Sequence, residues 1–213
     1  IQKRLVERIG QCVMTCPTTS CYNGLGNSEE KVNVGGQLRY FGDSFQISKK
    51  LNGQRFWRIP VMDGEFVIEE EFKIQKSVGG GNIFLLGENP DVTLQAAQDA
   101  ARSMRKIPGV ILPFPDGVVR SGSKVGSKYK ALPASTNHAY CPTLKGVVED
   151  SSLDDDVNCV LEIVVDGLDE KAVKNAMRAG IKAAARKGIK KITAGNYGGK
   201  LGQHKINLHD ILK

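Results

Sequence analysis

Two stretches of the chain carry the same order of apolar and polar positions. Residues 82–128 and 158–204 align without a gap at an offset of 76. Each reads as an apolar run, an amphipathic helix, a second short apolar run and then Gly-x-Lys-x-Gly. In the first copy Asn82–Gly87 is apolar on both faces, which predicts a covered strand. Pro90 suits a first helical turn, Val92, Ala96, Ala100 and Met104 follow helical spacing, and Pro108-Gly109 ends the helix. In the second, Cys159–Val165 is the strand, Asp169 opens a helix with Val173, Met177 and Ile181 on its core face, and Gly188 stops it before Ile189–Thr193. The alignment sets Asn82 on Asn158, Ala96 on Ala172 and Arg102 on Arg178. It breaks where Leu86 meets Glu162, a carboxylate in an apolar strand.

Outside the repeat the pattern is mixed. Residues 1–9 predict the end of an amphipathic helix stopped by Gly10, and Cys12–Thr15 and Gln37–Phe45 have strand character. Asn52-Gly53 and Asp63-Gly64 are hairpin turns joining Phe45–Lys49, Arg55–Val61 and Phe66–Ile74 into an antiparallel meander. Residues 129–157 read as a polar linker, and a last strand is expected near Ile206–Leu208. The fold expected is α+β. A ferredoxin-like βαββαβ lobe spans 63–213, its sheet carrying both helices on one face. A smaller α/β lobe at 1–62 is expected to be incomplete, because Ile1 stands in mid-helix.

Composition narrows the function only a little. A chain of 213 residues, 40% hydrophobic and 25% charged, has ample material for a core. No apolar stretch approaches the length of a membrane span. The five cysteines, at 12, 16, 21, 141 and 159, fit no paired metal-ligand spacing and read as reduced thiols. Net charge is +7, which favours an anionic partner without choosing one. Aromatic residues make up 6%, and no ribonucleoprotein motif is present, so nucleic-acid binding rests on fold and charge alone.

The candidate chemistry centres on Glu162. Strand alternation puts it on the face of Val160 and Val164, where desolvation would raise its pKa. A neutral carboxylic acid there can donate a hydrogen bond to an oxyanion or pass a proton; a solvated face or a structural ion pair is the competing account. The loops Ser121–Lys128 and Tyr197–His204 resemble phosphate cradles, although neither has nucleotide P-loop spacing, and repeated tight turns explain them equally well. His138, His204 and His209 are scattered and support neither a triad nor a metal site.

Several runs together resemble one family. They are Arg8–Thr15, Phe41-Gly42-Asp43, Gly80-Gly81-Asn82, Ser123–Lys128, Leu132–Asn137 with Ala139–Thr143, Ala194–Gln203 and Leu208-His209-Asp210. The resemblance is to formylmethanofuran:tetrahydromethanopterin formyltransferase, an enzyme of archaeal one-carbon metabolism, in methanogenesis or its reverse, found also in some methylotrophic bacteria. It covers essentially the whole chain. It implies two α/β lobes, here a distal one at 63–213 and part of a proximal one at 1–62. It also implies a cytoplasmic homo-oligomer, dimer or tetramer, with no metal, no tightly bound cofactor and no nucleic-acid or membrane partner. Formylmethanofuran and tetrahydromethanopterin would be coenzyme substrates, both bearing carboxylates and the latter a phosphate. The family's catalytic glutamate lies in a Cys-Val-x-Glu-Ile-Val strand, which maps onto Glu162. Asn82, Ser123, Lys124, Asn137, Asn196 and Lys200 fall in the runs that carry the resemblance and are the expected substrate-binding residues. Family members have a further N-terminal segment ahead of the helix at which this sequence begins. The alternative reading is therefore a truncated, catalytically impaired paralogue acting as a binding or assembly subunit.

Overall fold

The computed structural model describes residues 1–26, 28–195 and 202–213. They pack into two compact units, Ile1–Lys76 and Ser77–Lys213. The sequence reading divided the chain between residues 62 and 63. That point is the tight turn between two paired strands, so by packing the strands that follow it stay with the first unit.

In the first unit, α1 (Gln2–Arg8) runs directly into a π-helical turn at Ile9–Val13. Neither the helix stop expected at Gly10 nor the strand expected at Cys12–Thr15 is there. Gly10 is a close-approach glycine: a Cβ on it would lie 3.1 Å from Leu38 Cδ2. Strands β1 (Ser20–Cys21) and β2 (Lys31–Asn33) precede α2 (Gly35–Leu38), which continues into a 3-10 turn at Arg39–Gly42. The strand expected over Gln37–Phe45 is thus helical as far as Gly42. The backbone N–H groups of Val34 and Gly35 both donate to the Glu70 carbonyl at 3.0 Å, and Leu38 turns into the core.

The meander forms as the turns predict. β3 (Ile47–Leu51), β4 (Gln54–Val61) and β5 (Gly64–Glu69) are antiparallel neighbours, and β1 adds to β5 in parallel. A short β6 (Glu71–Lys73) pairs with β2. Ile9, Val34, Leu38, Ile59, Phe66 and Ile68 form the core. Each such large apolar side chain contributes roughly 1.5–3 kcal/mol on leaving water.

The second unit is built on β7 (Val78–Gly87), α3 (Pro90–Met104), β8 (Val110–Ile111), β11 (Cys159–Gly167), α4 (Glu170–Ala184) and β12 (Ile189–Thr193). Between β8 and β11 lie β9 (Ser123–Val125) and β10 (Ala134–Thr136), an antiparallel pair. The main sheet has the order β12-β7-β11-β8 with every neighbouring pair antiparallel. One face carries Ile83, Leu85, Ile163 and Val165 against α3 and α4. The opposite face carries Phe84 and Leu86 and is turned away from α3 and α4; Val157, Val160 and Tyr140 pack there. The helices start on side-chain caps: Asn89 accepts from Val92 N–H at 3.0 Å, and Asp169 accepts from Ala172 N–H at 2.7 Å.

The repeat is real, but its register differs from the ungapped sequence alignment. Helices α3 and α4 lie 80 residues apart at both ends. Their buried sets correspond at that spacing: Thr93, Ala96, Ala97, Ala100, Ala101 and Met104 against Val173, Ala176, Met177, Gly180, Ile181 and Ala184. An alignment at 76 is off by four residues, about one helical turn, so it kept the helix faces roughly in phase while misplacing every partner. Glu162 therefore matches Asn82, not Leu86. The linker at 129–157 is not structureless either, holding β10 and 3-10 turns at His138–Tyr140 and Pro142–Leu144. The strand expected near Ile206–Leu208 is replaced by α5 (Leu208–Leu212), which Asn207 caps by accepting from His209 N–H.

Candidate active site

The sheet face of the second unit that is turned away from α3 and α4 presents Glu162 at the centre of β11, opposite Phe84 of β7. Its backbone is locked by reciprocal bonds to Val119, N–H to carbonyl at 2.8 Å and carbonyl to N–H at 2.7 Å. Asn82 lies on the same face, one diagonal step away across the strand pair. Its amide Nδ2 donates to Glu162 Oε1 at 3.2 Å, while its Oδ1 accepts from Gly195 N–H at 3.0 Å. The Gly195 contact fixes which end of the amide faces the carboxylate. Burial pushes the Glu162 carboxyl above its ordinary value, and the Asn82 hydrogen bond draws it part of the way back.

A cavity of about 170 Å³ opens above this carboxylate. Its apolar wall is Phe84, Val160 and Tyr140, with the two rings edge to face at 5.0 Å between centroids. Its polar side is Arg120, Ser121, Gly122, Asn137 and Thr143. Asn137 is only 5% exposed, and its N–H donates to the Gly122 carbonyl while its own carbonyl accepts from Tyr140 N–H at 2.9 Å. Beneath the wall, Lys145 Nζ donates to the carbonyls of Asp155 and Val157 at 2.8 Å each, fastening the segment that carries Val157.

Of the expected site residues, Glu162 and Asn137 line the cavity and Asn82 bonds to Glu162. Ser123 and Lys124 sit in the adjoining β9–β10 pair rather than in the cavity lining. Lys124 helps hold down the Asp150 carboxyl, which His138 lowers first through a 2.9 Å hydrogen bond. Asn196 and Lys200 lie outside the described residues. Arg120 and the Phe84–Tyr140 wall were missed from sequence; the alternation of Phe84 and Leu86 with Ile83 and Leu85 held the signal for the wall. Among the described residues no group of three or more His, Cys, Asp or Glu could hold a metal ion, and no helix is long and apolar enough to cross a membrane.

Comparison with known proteins gives this carboxylate a context. Residues 1–61 match the family model described as formylmethanofuran-tetrahydromethanopterin formyltransferase, and residues 64–211 match the one described as its proximal lobe. The chain belongs to the formylmethanofuran–tetrahydromethanopterin formyltransferase family. The two matches meet where the sequence reading divided the chain, but the name proximal falls on the C-terminal stretch, the reverse of the expected labels. The family's enzyme from Methylobacillus flagellatus is 54% identical over 99% of this chain and 72% of its own length. That from Methanocaldococcus jannaschii is 50% identical over the full chain and 72% of its own. Among solved structures, the Methanosarcina barkeri formyltransferase superposes with a TM-score of 0.91 at 45% identity, covering 99% of this chain and 71% of that one. A formyltransferase/hydrolase complex from Methylorubrum extorquens, solved with methylofuran, gives 0.90 at 48%, covering 100% and 71%. Matches of this extent support catalysis in the family's reaction over a non-catalytic binding subunit.

Proposed function

We propose that the chain transfers a formyl group from formylmethanofuran to N5 of tetrahydromethanopterin, with the chemistry at Glu162. The observation that carries this is the carboxyl itself: half-buried, raised in pKa, oriented by Asn82 and open to a cavity on the face turned away from α3 and α4. N5 attacks the formyl carbon, and a C–N5 bond forms as the carbonyl electron pair moves onto oxygen. Protonated Glu162 donates to that oxyanion, which is where a positioned donor acts most strongly. Collapse restores the carbonyl and breaks the bond to the methanofuran amine, which leaves with the proton lost from N5. The two coenzymes serve as substrates, with no tightly held prosthetic group.

Asn137, Asn196 and Lys200 would contact substrate, with Ser123 and Lys124 in the neighbouring pair steering its anionic parts. We read the working form as a cytoplasmic homo-oligomer, a dimer or tetramer. A formyl-transfer assay on this chain, with Glu162→Gln beside it, tests the central claim. Transfer that persists unchanged in the variant would remove Glu162 from the mechanism.

A further inference from the structure

The cavity wall opposite β11 has a charge pattern that the transfer chemistry does not use. From Gly117 to Val148 the sequence contains no aspartate or glutamate, yet it carries Arg120, Lys124, Lys128, Lys130 and Lys145. Lys145 is occupied with backbone carbonyls. Arg120 is different: it is the one of these cations that lines the cavity beside Glu162, it is exposed, and it makes no ion pair with a described carboxylate.

Its backbone is held on both sides. The preceding residue, Val119, is bonded twice to Glu162, and two residues on the Gly122 carbonyl accepts from Asn137 N–H. The chain thus presents a guanidinium from a fixed point at the cavity lip. Among the described residues the Glu162 carboxyl is bonded by Asn82 and makes no ion pair with Arg120, so the guanidinium is not spent on it. A guanidinium without a partner among the described residues, beside an apolar wall, matches a planar oxyanion in bidentate fashion.

We infer that Arg120 is the specificity-determining residue that seats an anionic group, a carboxylate or phosphate, of one of the two coenzymes whose reacting ends meet at Glu162. The bound molecule then has three parts in register: an anionic group at Arg120, an apolar or ring portion along Phe84 and Tyr140, and the formyl-bearing or formyl-accepting centre at Glu162. This rests on the proposed function and adds which side of the cavity reads charge. It also separates Arg120, a binding residue, from Glu162, which faces the reacting atoms.

The test is equilibrium binding by calorimetry of formylmethanofuran and of tetrahydromethanopterin to the wild-type chain, Arg120→Gln, Arg120→Lys and Lys130→Gln, each at low and raised salt. Arg120→Gln should weaken one coenzyme about tenfold or more, flatten its salt dependence and leave the unfolding temperature unchanged, since the side chain has no partner among the described residues. Arg120→Lys should recover part of the loss, and Lys130→Gln, outside the cavity, should differ from wild type by less than twofold. In turnover the loss should fall on KM more than on kcat. Both coenzymes binding Arg120→Gln within twofold of wild type would overturn the inference, as would an equal loss in Lys130→Gln, which would mean net charge alone. If formyl transfer proceeds normally while either happens, only this assignment falls. If neither coenzyme binds the wild-type chain, the proposed function falls with it.

Discussion

Asn82 and Glu162 occupy equivalent positions in the two halves of one sheet, and they are hydrogen-bonded to each other. The pair straddles the point where Ile83 faces Ile163, so the approximate symmetry that relates the halves exchanges an amide for a carboxyl. One half supplies the acid and the other supplies the donor that orients it.

Asn82→Ala should therefore act through Glu162 rather than through substrate affinity. The Asn82 hydrogen bond lowers the carboxyl's pKa against the larger upward effect of burial. Removing it should move the alkaline limb of the pH–rate profile further up and lower the plateau by about tenfold, as the carboxyl loses its fixed orientation. A pH–rate profile with an unmoved limb and a raised KM would instead make Asn82 a substrate contact.

Glu162→Gln should cost formyl transfer about 10²–10⁴-fold, the usual worth of a positioned acid. Its effect on stability has a definite sign. A carboxyl whose folded-state pKa lies above the unfolded value near 4.5 weakens the fold as pH rises from that value through the folded one. The glutamine variant lacks this penalty, so it should melt at a higher temperature than wild type at pH 8 and at the same temperature near pH 4. Calorimetric scans at the two pH values check it.

Asp99 gives the opposite dependence. Arg186 first, and then Arg102, hold its carboxyl down from 3.8 to about 2. A depressed carboxyl contributes its stability above the unfolded value and loses it as pH falls through the folded one. Acid unfolding between about pH 4 and 2 should accordingly be shallower in Asp99→Asn than in wild type. Equal acid limbs would mean that these partly exposed pairs are screened by solvent.

The strand ends test the packing of the repeat. Gly167 and Gly87 sit 80 residues apart, under Val173 and Thr93, which are themselves equivalent. A Cβ on Gly167 would meet Val173 Cγ2 at 2.7 Å, so Gly167→Ala should destabilise by roughly 1–3 kcal/mol. Adding Val173→Ala should return part of that loss, giving a favourable coupling in denaturant melts. Strict additivity would show that the two residues do not touch.

Much of this was legible beforehand because it is local. Turn chemistry at Asn52-Gly53 and Asp63-Gly64 set the hairpins, Asp169 and Pro90 set the helix starts, and alternation placed Glu162 on the face of Val160. The failures share a cause, which is contact between residues distant in sequence. Gly10 reads as a stop signal until Leu38 is seen pressed against it, and Gln37–Phe45 has strand character although the Glu70 carbonyl, gathering the N–H groups of Val34, Gly35 and Gly36, starts a helix just ahead of it. The partner of Glu162 was misassigned for another reason. A four-residue slip leaves helical faces nearly in phase, and chance identities such as Asn82 with Asn158 then outweigh the true correspondence. The rest of the cavity lining hid in the loop at 120–122 and the 3-10 turn His138–Tyr140, too short for any period to show.

The path of the chain after β8 has one further consequence. In the second half the chain leaving β12 passes beside Asn82, where Gly195 meets it. In the first half β8 ends at Ile111, residues 112–118 make a detour, and Val119 returns to the sheet beside Glu162. A perfectly duplicated scaffold would offer two identical halves of that face and no preferred way round for a two-substrate reaction. The detour gives the molecule a handed working surface: acid and cation on one flank, orienting amide on the other. Redesign that shortened 112–118 to match the second half would keep the sheet and erase that direction.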